Sequence, residues 1–283
     1  MPAVPIKRFF LVGCPRSGTT LLQSLIAAHP QVTSFPESHF FTRVISARPI
    51  LRRLGLASLR ARAQFTRLLD LLGRPELRTC LPRFAVTPRQ YARAFTTVLD
   101  TVAREQHKQA WLEKTPRHLD YIDAISALVP HAKFIHVIRN GADVIASLYE
   151  TVNDHPDSWW HRYANDLDHL IERWLHSIAL TQLYVRSTDH CIVRYEHLVD
   201  APERVLTQLC QFIGLPFVSQ MLDGFRATTA ALVLPHETWK QTAPTALENV
   251  NQKKFYRLFD ADQRLYINQK IAHIQLDELT PLI

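Results

Sequence analysis

Two glycines with the spacing of a phosphate-binding loop stand near the start of the chain, in "GCPRSGTT", Gly13 to Thr20. An apolar run, "IKRFFLVG", leads into them, and "TTLLQSLIAAH" follows with its apolar residues at helical spacing as far as Pro30. A glycine-rich turn that feeds a helix offers consecutive backbone N–H groups and the positive helix end to an anion. A nucleotide triphosphatase has lysine after the second glycine; here that residue is Thr19, and Arg16 stands inside the loop instead. Pro15, Arg16, Ser17, Gly18, Thr19 and Thr20 are the candidate anion-binding residues.

A second departure lies further on. A triphosphatase ends another apolar strand in an aspartate that helps to hold Mg²⁺, whereas "KFIHVI" ends in Arg139. Both halves of the triphosphate-and-magnesium apparatus are thus replaced, and no metal site is expected. A loop for two anionic groups without a metal suits a 5′-phosphosulfate, because a sulfuryl group carries less charge than a terminal phosphoryl. Arg139 can give paired hydrogen bonds to a terminal phosphate. Ser147, on the helix after Gly141, is expected to face back toward the same strand end. "FPESHFF" follows a short second strand and can return to the ligand-binding edge with Glu37 and His39.

These residues resemble the PAPS-dependent sulfotransferases. "VGCPRSGTTLLQSLIAAHPQV" is similar to the 5′-phosphosulfate loop, in the form used by the protein-tyrosine and related bacterial enzymes. "AKFIHVIRNGADVIASLY" is similar to the 3′-phosphate motif, and the resemblance runs with gaps from Phe9 to about Phe217. It implies transfer of a sulfuryl group from PAPS to a hydroxyl by in-line displacement, with 3′-phosphoadenosine 5′-phosphate (PAP) left behind. Glu37 matches the catalytic glutamate, and His39 is the runner-up, since other branches use histidine. Lys114 in "EKTP" matches a lysine close to the transferring group and joins Arg16 as a stabiliser of developing charge. Tyr195 in "HCIVRYEHL" matches a tyrosine that contacts the nucleotide.

The resemblance is incomplete at two positions. Asn140 follows the strand-end arginine where aspartate is common, and Pro36 precedes Glu37 where the tyrosine-specific enzymes have an acidic residue. A small molecule, a sugar, a lipid and peptidyl tyrosine all stay open as acceptors. Lys240, Lys253 and Lys254 in the tail are further candidates for the cofactor phosphates. Two rival functions stay open on the residues alone: a metal-dependent nucleotide kinase with a degenerate loop, and a non-catalytic anion- or nucleic-acid-binding protein.

The elements that must position these groups alternate. Apolar runs of strand type at Ile6–Gly13, Gln31–Phe35, Gln109–Thr115, Lys133–Ile138 and His190–Val199 are separated by helical patterns. This predicts an α/β, P-loop-like three-layer fold with a central parallel sheet and right-handed crossovers. In such sheets ligands sit at the carboxyl ends of the strands, where "GCPRSGTT", "EKTP" and "RNG" all fall. Residues 1–283 are expected to form one domain, with 38–108 a helical insertion that shapes the acceptor site. The segment from Leu215 to Lys254 reads as irregular, and the chain is helical again from Ala261.

Composition narrows the class. The 283 residues are 47% hydrophobic and 21% charged, as in a globular enzyme. No apolar run approaches the roughly 18 residues of a membrane span. The loop starts so close to Met1 that neither signal peptide nor stalk is expected before it. Cys14, Cys80, Cys191 and Cys210 are scattered, which predicts a reducing, cytoplasmic setting. The net charge of +7 suits an anionic ligand, and much of the excess comes from twelve arginines between Arg43 and Arg93. No aromatic-interleaved basic stripe accompanies them, so direct nucleic-acid reading is not expected.

Overall fold

The computed structural model describes residues 5–155, 161, 163, 166–232 and 252–279. Its centre is a five-stranded sheet in the order β2-β3-β1-β4-β5, with β1 Lys7–Gly13, β2 Val32–Ser34, β3 Ala110–Lys114, β4 Ala132–Ile138 and β5 His190–Arg194. Every pairing is parallel. The strand order reverses at β1, so the crevice beyond its carboxyl end is the expected ligand site.

Alternation along β1 divides the core. Phe10 and Val12 face one cluster, and Phe9 and Leu11 face another. On the first face Phe10 meets Trp111 edge-on at 5.4 Å and stacks on Phe134 at 5.6 Å. This face is covered by the segment between β2 and β3. Its helices are α2 Phe40–Val44, α3 Pro49–Arg53, α4 Ala61–Leu72 and α5 Pro88–Glu105. Thr87 and Gln90 close a capping box on α5, and Pro88 occupies its first turn. On the second face lie α1 Thr19–Ala27 and the later helices α9 Tyr195–Asp200 and α10 Pro202–Ile213. A third apolar cluster joins α7 Gly141–Asp154 to α8 Leu167–Gln182 and to the carboxyl-terminal helix Ala261–Ile271.

Three expectations need correction. The strand expected over His190–Val199 ends at Arg194, and the chain turns into α9 at Tyr195. The helical pattern after the Gln109–Thr115 run does not start as a regular helix: a 3₁₀ turn, Pro116–Tyr121, precedes α6 Ile122–Leu128. The stretch from Leu215 to Lys254 is not irregular where it is described. It holds helices at Gln220–Asp223 and Phe225–Leu232, and Lys253 opens a third that ends at Leu258. Met221 and Phe225 are four residues apart, and both bury against the α1 side of the sheet. That burial supplies what the weak local pattern hid.

Away from the carboxyl ends of the strands, β4 and β5 pair a buried histidine, His136, with a half-buried one, His190. His136 Nε2 lies 2.8 Å from His190 Nδ1, and His136 Nδ1 is 3.2 Å from Thr181 Oγ1. His190 is sandwiched between Phe134 and Tyr184. Burial, and then the neighbouring His190, push His136 down to about 3. Burial pushes His190 down to about 4 against the opposing pull of Asp189 and Asp123. Both rings are neutral in the fold and take up protons on unfolding. Their contribution is therefore complete above the ordinary histidine value of about 6.5 and is lost as pH falls toward the folded values. Urea midpoints should drop between about pH 7.5 and about pH 5, and His190→Phe, which keeps the ring stack, should shrink that drop. A wild-type midpoint that does not change across this range would contradict the assignment.

Candidate active site

The phosphate loop is built by close approach. Gly13 ends β1 at φ 154°, and a Cβ there would lie 2.5 Å from the Val137 carbonyl oxygen. Ser17 N donates to Cys14 O at 3.2 Å and Ser17 Oγ to the same oxygen at 2.8 Å, which closes the turn. Gly18, at φ 98°, opens α1, and a Cβ on it would lie 2.3 Å from the Tyr195 ring. The first helical bond runs from Leu22 N to Gly18 O, so the N–H groups of the first turn have no partner within the helix. Arg16 adopts φ 72°, a left-handed conformation that costs an arginine about 1 kcal/mol or more.

The register of the sheet assembles the rest. Ile138 pairs with Arg194, so Arg139 and Tyr195 leave adjacent strands at the same level. The Arg139 guanidinium lies 4.1 Å above the Tyr195 ring. Tyr195 is thus held between Gly18 and Arg139. Its hydroxyl is buried with no hydrogen-bond partner among the described residues. Burial raises its phenol, so it remains a hydroxyl at neutral pH. Asn140 caps α7, its Oδ1 accepting from Ala142 N at 2.9 Å and Asp143 N at 3.4 Å, so asparagine serves the turn as aspartate would. Two turns on, Ser147 Oγ accepts from Arg16 Nε at 3.1 Å. The loop and the second motif, 131 residues apart in sequence, therefore meet directly.

Arg16 is the meeting point of the charges. Burial lowers its guanidinium below the ordinary value, and Glu150, Arg139 and Glu37 are the charges it feels, in that order. Glu150 on α7 in turn holds Lys254 and Arg257. Of the tail lysines, Lys254 is engaged there, Lys253 is exposed, and Lys240 lies outside the described residues.

Glu37, Ser38 and His39 run beside the end of β3. Lys114 Nζ donates to Glu37 Oε1 at 2.5 Å, and the lysine is almost wholly buried. His39 Nε2 stands 3.5 Å from the other Glu37 oxygen, with its backbone at φ 50°. His39 N donates to Thr115 Oγ1 at 3.1 Å. Both candidate bases and Lys114 are thus in one cluster.

Glu113 anchors that cluster from the opposite face of β3. Its Oε1 accepts from Ser38 Oγ at 2.6 Å and from Thr115 Oγ1 at 2.7 Å. Its Oε2 lies 2.8 Å from His118 Nδ1, while His118 Nε2 accepts from Phe41 N at 3.2 Å. That acceptor role places the imidazole proton on Nδ1, where it is given to Glu113. Burial alone would raise Glu113, but His118 and the two hydroxyls outweigh it and hold the carboxylate below its usual range. Glu113, His118, Ser38 and Glu150 were not singled out from the sequence for any role at the site. The available signal was a carboxylate inside the apolar strand "AWLEK", which needs a partner. Cys14 begins the loop, but burial pushes its thiol up to about 11, so it is no nucleophile at neutral pH. Among the described residues, no group of three or more His, Cys, Asp or Glu is placed to hold a metal ion.

Ser38→Ala removes a charge-assisted bond to Glu113 and the acceptor for Phe40 N. It should lower unfolding stability by about 1.5–3 kcal/mol, measured in urea. A loss under about 0.5 kcal/mol would show that the loop is held by other contacts.

Comparison with known proteins bears on this geometry. A model of the Sulfotransferase family matches residues 8–220. Protein-tyrosine sulfotransferase 1 of Danio rerio is 26% identical over 219 residues, 75% of this chain and 54% of that protein. An uncharacterized protein of Aquifex aeolicus is 26% identical over 234 residues, 78% of this chain and 27% of its own. The chain thus spans between about a quarter and about half of these curated relatives. The sulfotransferase domain of the curacin biosynthetic pathway superposes with a TM-score of 0.60 at 18% identity, covering 95% of this chain and 98% of that one. A mouse sulfotransferase solved with PAP gives 0.51 at 14%, covering 96% and 86%. With its P-loop-like sheet, its phosphate loop and a family match across three-quarters of its length, the chain belongs to the sulfotransferase family.

Proposed function

We propose that this protein transfers a sulfuryl group from PAPS to a hydroxyl acceptor. The observation that carries the reading is the Arg16–Ser147 hydrogen bond, which draws the phosphate loop and the strand-end motif into one anion-binding crevice. The crevice fits a nucleotide with a second phosphate. The hydroxyl of Tyr195 is buried and has no hydrogen-bond partner among the described residues, its ring lies against a glycine that admits no side chain, and Arg139 stands above it. Pro15 to Thr20 would hold the 5′ end, Arg139 and Ser147 the 3′-phosphate, and Tyr195 the nucleoside. PAPS, when bound, supplies the sulfuryl group and the phosphate that leaves.

The chain's own residues divide the remaining work. Glu37 receives the proton of the acceptor hydroxyl on a carboxylate oxygen. Lys114 and Arg16 neutralise charge as it develops on the leaving oxygen. Lys114 starts out bound to Glu37, so one ammonium borders both the proton acceptor and the leaving group. His39, on the far oxygen of Glu37, lines the acceptor side. Residues 38–108 would form the helical insertion of a single-domain enzyme and shape that side. Relatives named for protein tyrosine support a hydroxyl acceptor, and the acceptors we propose are a small molecule, a sugar, a lipid or peptidyl tyrosine. A reducing compartment such as the cytoplasm is supported by four free cysteines. Among the described residues, no helix is long and apolar enough to cross a membrane.

Two measurements test the reading. In calorimetry, PAP should bind roughly ten- to a hundredfold more tightly than adenosine 5′-phosphate, the worth of a charge-assisted pair at the 3′ position. Equal affinities would remove Arg139 and Ser147 from that role. In a mass-spectrometric assay over a mixed hydroxyl library with PAPS, Glu37→Gln should lower turnover by roughly 10²–10⁴-fold with PAP affinity nearly unchanged. His39→Ala should lose much less; if His39→Ala is dead and Glu37→Gln active, the base is His39.

A further inference from the structure

The helices between β2 and β3 carry a surface that the crevice does not use. Among the described residues, five of the nine exposed large hydrophobic side chains lie on it: Ile50, Leu54, Leu59, Phe84 and Val86, each between 54% and 79% exposed. Hydrogen bonds draw these stretches together. Ala57 N donates to Val86 O at 2.8 Å, and the Arg62 guanidinium donates to Pro82 O and Arg83 O. Ile50 and Leu54 are four residues apart along α3 and the turn that ends it, where Leu54 N donates to Ile50 O.

Arginines surround the apolar residues, and no acidic residue lies between Ser38 and Leu69. Among the described residues, Arg48, Arg52, Arg53, Arg60, Arg62 and Arg83 have no carboxylate partner within ion-pair distance. Arg67 and Arg60 each stand close enough to Arg43 to repel it. A face of protruding apolar tips set among unneutralised cations matches an interface with an apolar interior and an anionic surface.

We propose that the face formed by α3, the turn after it and residues 82–86 docks on the surface of an anionic lipid bilayer. Arginines meet the headgroups, and Ile50, Leu54, Leu59 and Phe84 enter the boundary with the acyl chains. Nucleic acid would satisfy the cations but offers no apolar phase for the leucines. A folded acidic partner would need a continuous apolar centre, whereas here cations separate the tips. The face also connects to the crevice. Ser58 N donates to Val44 O at 2.8 Å, and Gln64 Nε2 donates to Ser38 O at 2.6 Å, next to Glu37. Docking would set the Glu37 side of the crevice toward the bilayer.

Vesicle co-sedimentation of the full chain tests this, with phosphatidylcholine alone and with about 30 mol% phosphatidylserine. The protein should pellet with the anionic vesicles, stay in solution with the neutral ones, and be released by high salt. Arg52→Glu with Arg53→Glu should weaken binding by at least about fivefold for each charge removed. Leu54→Asp with Leu59→Asp should also abolish most of it while the melting temperature stays near wild type, since both side chains are exposed. Failure of the wild type to bind anionic vesicles would overturn the proposal. So would leucine variants that bind as well as wild type, or tighter binding to an oligonucleotide that depends on the arginines alone.

Discussion

A carboxylate with almost no exposed surface, Glu113, holds the loop of Glu37 and His39 against the end of β3. An ionised group in that position is tolerable only when hydrogen bonds surround it. Ser38, Thr115 and His118 supply them, and His118 passes the constraint on to the backbone of Phe41. The pairs 37 with 114, 38 with 113 and 39 with 115 form a short zipper between the loop and the end of β3. Because strand residues alternate, the buried half of this zipper fixes the half that faces the crevice. Glu37 and Lys114 meet because Ser38 and Glu113 meet.

The glycine-rich loop and the strand-end motif have a different support. There the backbone carries the precision, through the tight turn after Gly13, the contact of Gly18 with Tyr195, and the level pairing of β4 with β5. The two halves are independent in origin, one set by a side-chain network and the other by sheet register. Arg16 spans them, bonded to Ser147 and within the field of Glu37.

Much of this was legible in the residues. The loop glycines, the strand-end arginine and the alternation of apolar runs with helical patterns are local signals, and they predict the parallel sheet and the meeting of the two motifs at its strand ends. The Glu113 network was not legible, because its partners come from two separate stretches, 38–41 and 115–118, and their meeting depends on the path of 35–41 over the sheet. The helices after Leu215 were missed for the same reason: Met221 and Phe225 are apolar only in register with a surface on α1 that the local sequence does not show. Tyr195 was read at a strand end, and it opens α9 immediately after β5. The stacking of Arg139 on its ring could not be inferred from either motif alone.

The exchange of lysine for arginine in the loop has an electrostatic meaning. Burial lowers the Arg16 guanidinium, but arginine begins about two pKa units above lysine, so the same burial leaves an arginine more of its charge than it would leave a lysine. Arg16 bonds Ser147 on α7 and lies in the field of Glu37 on the 35–41 loop, so a displacement of either wall is carried to the other through a single side chain.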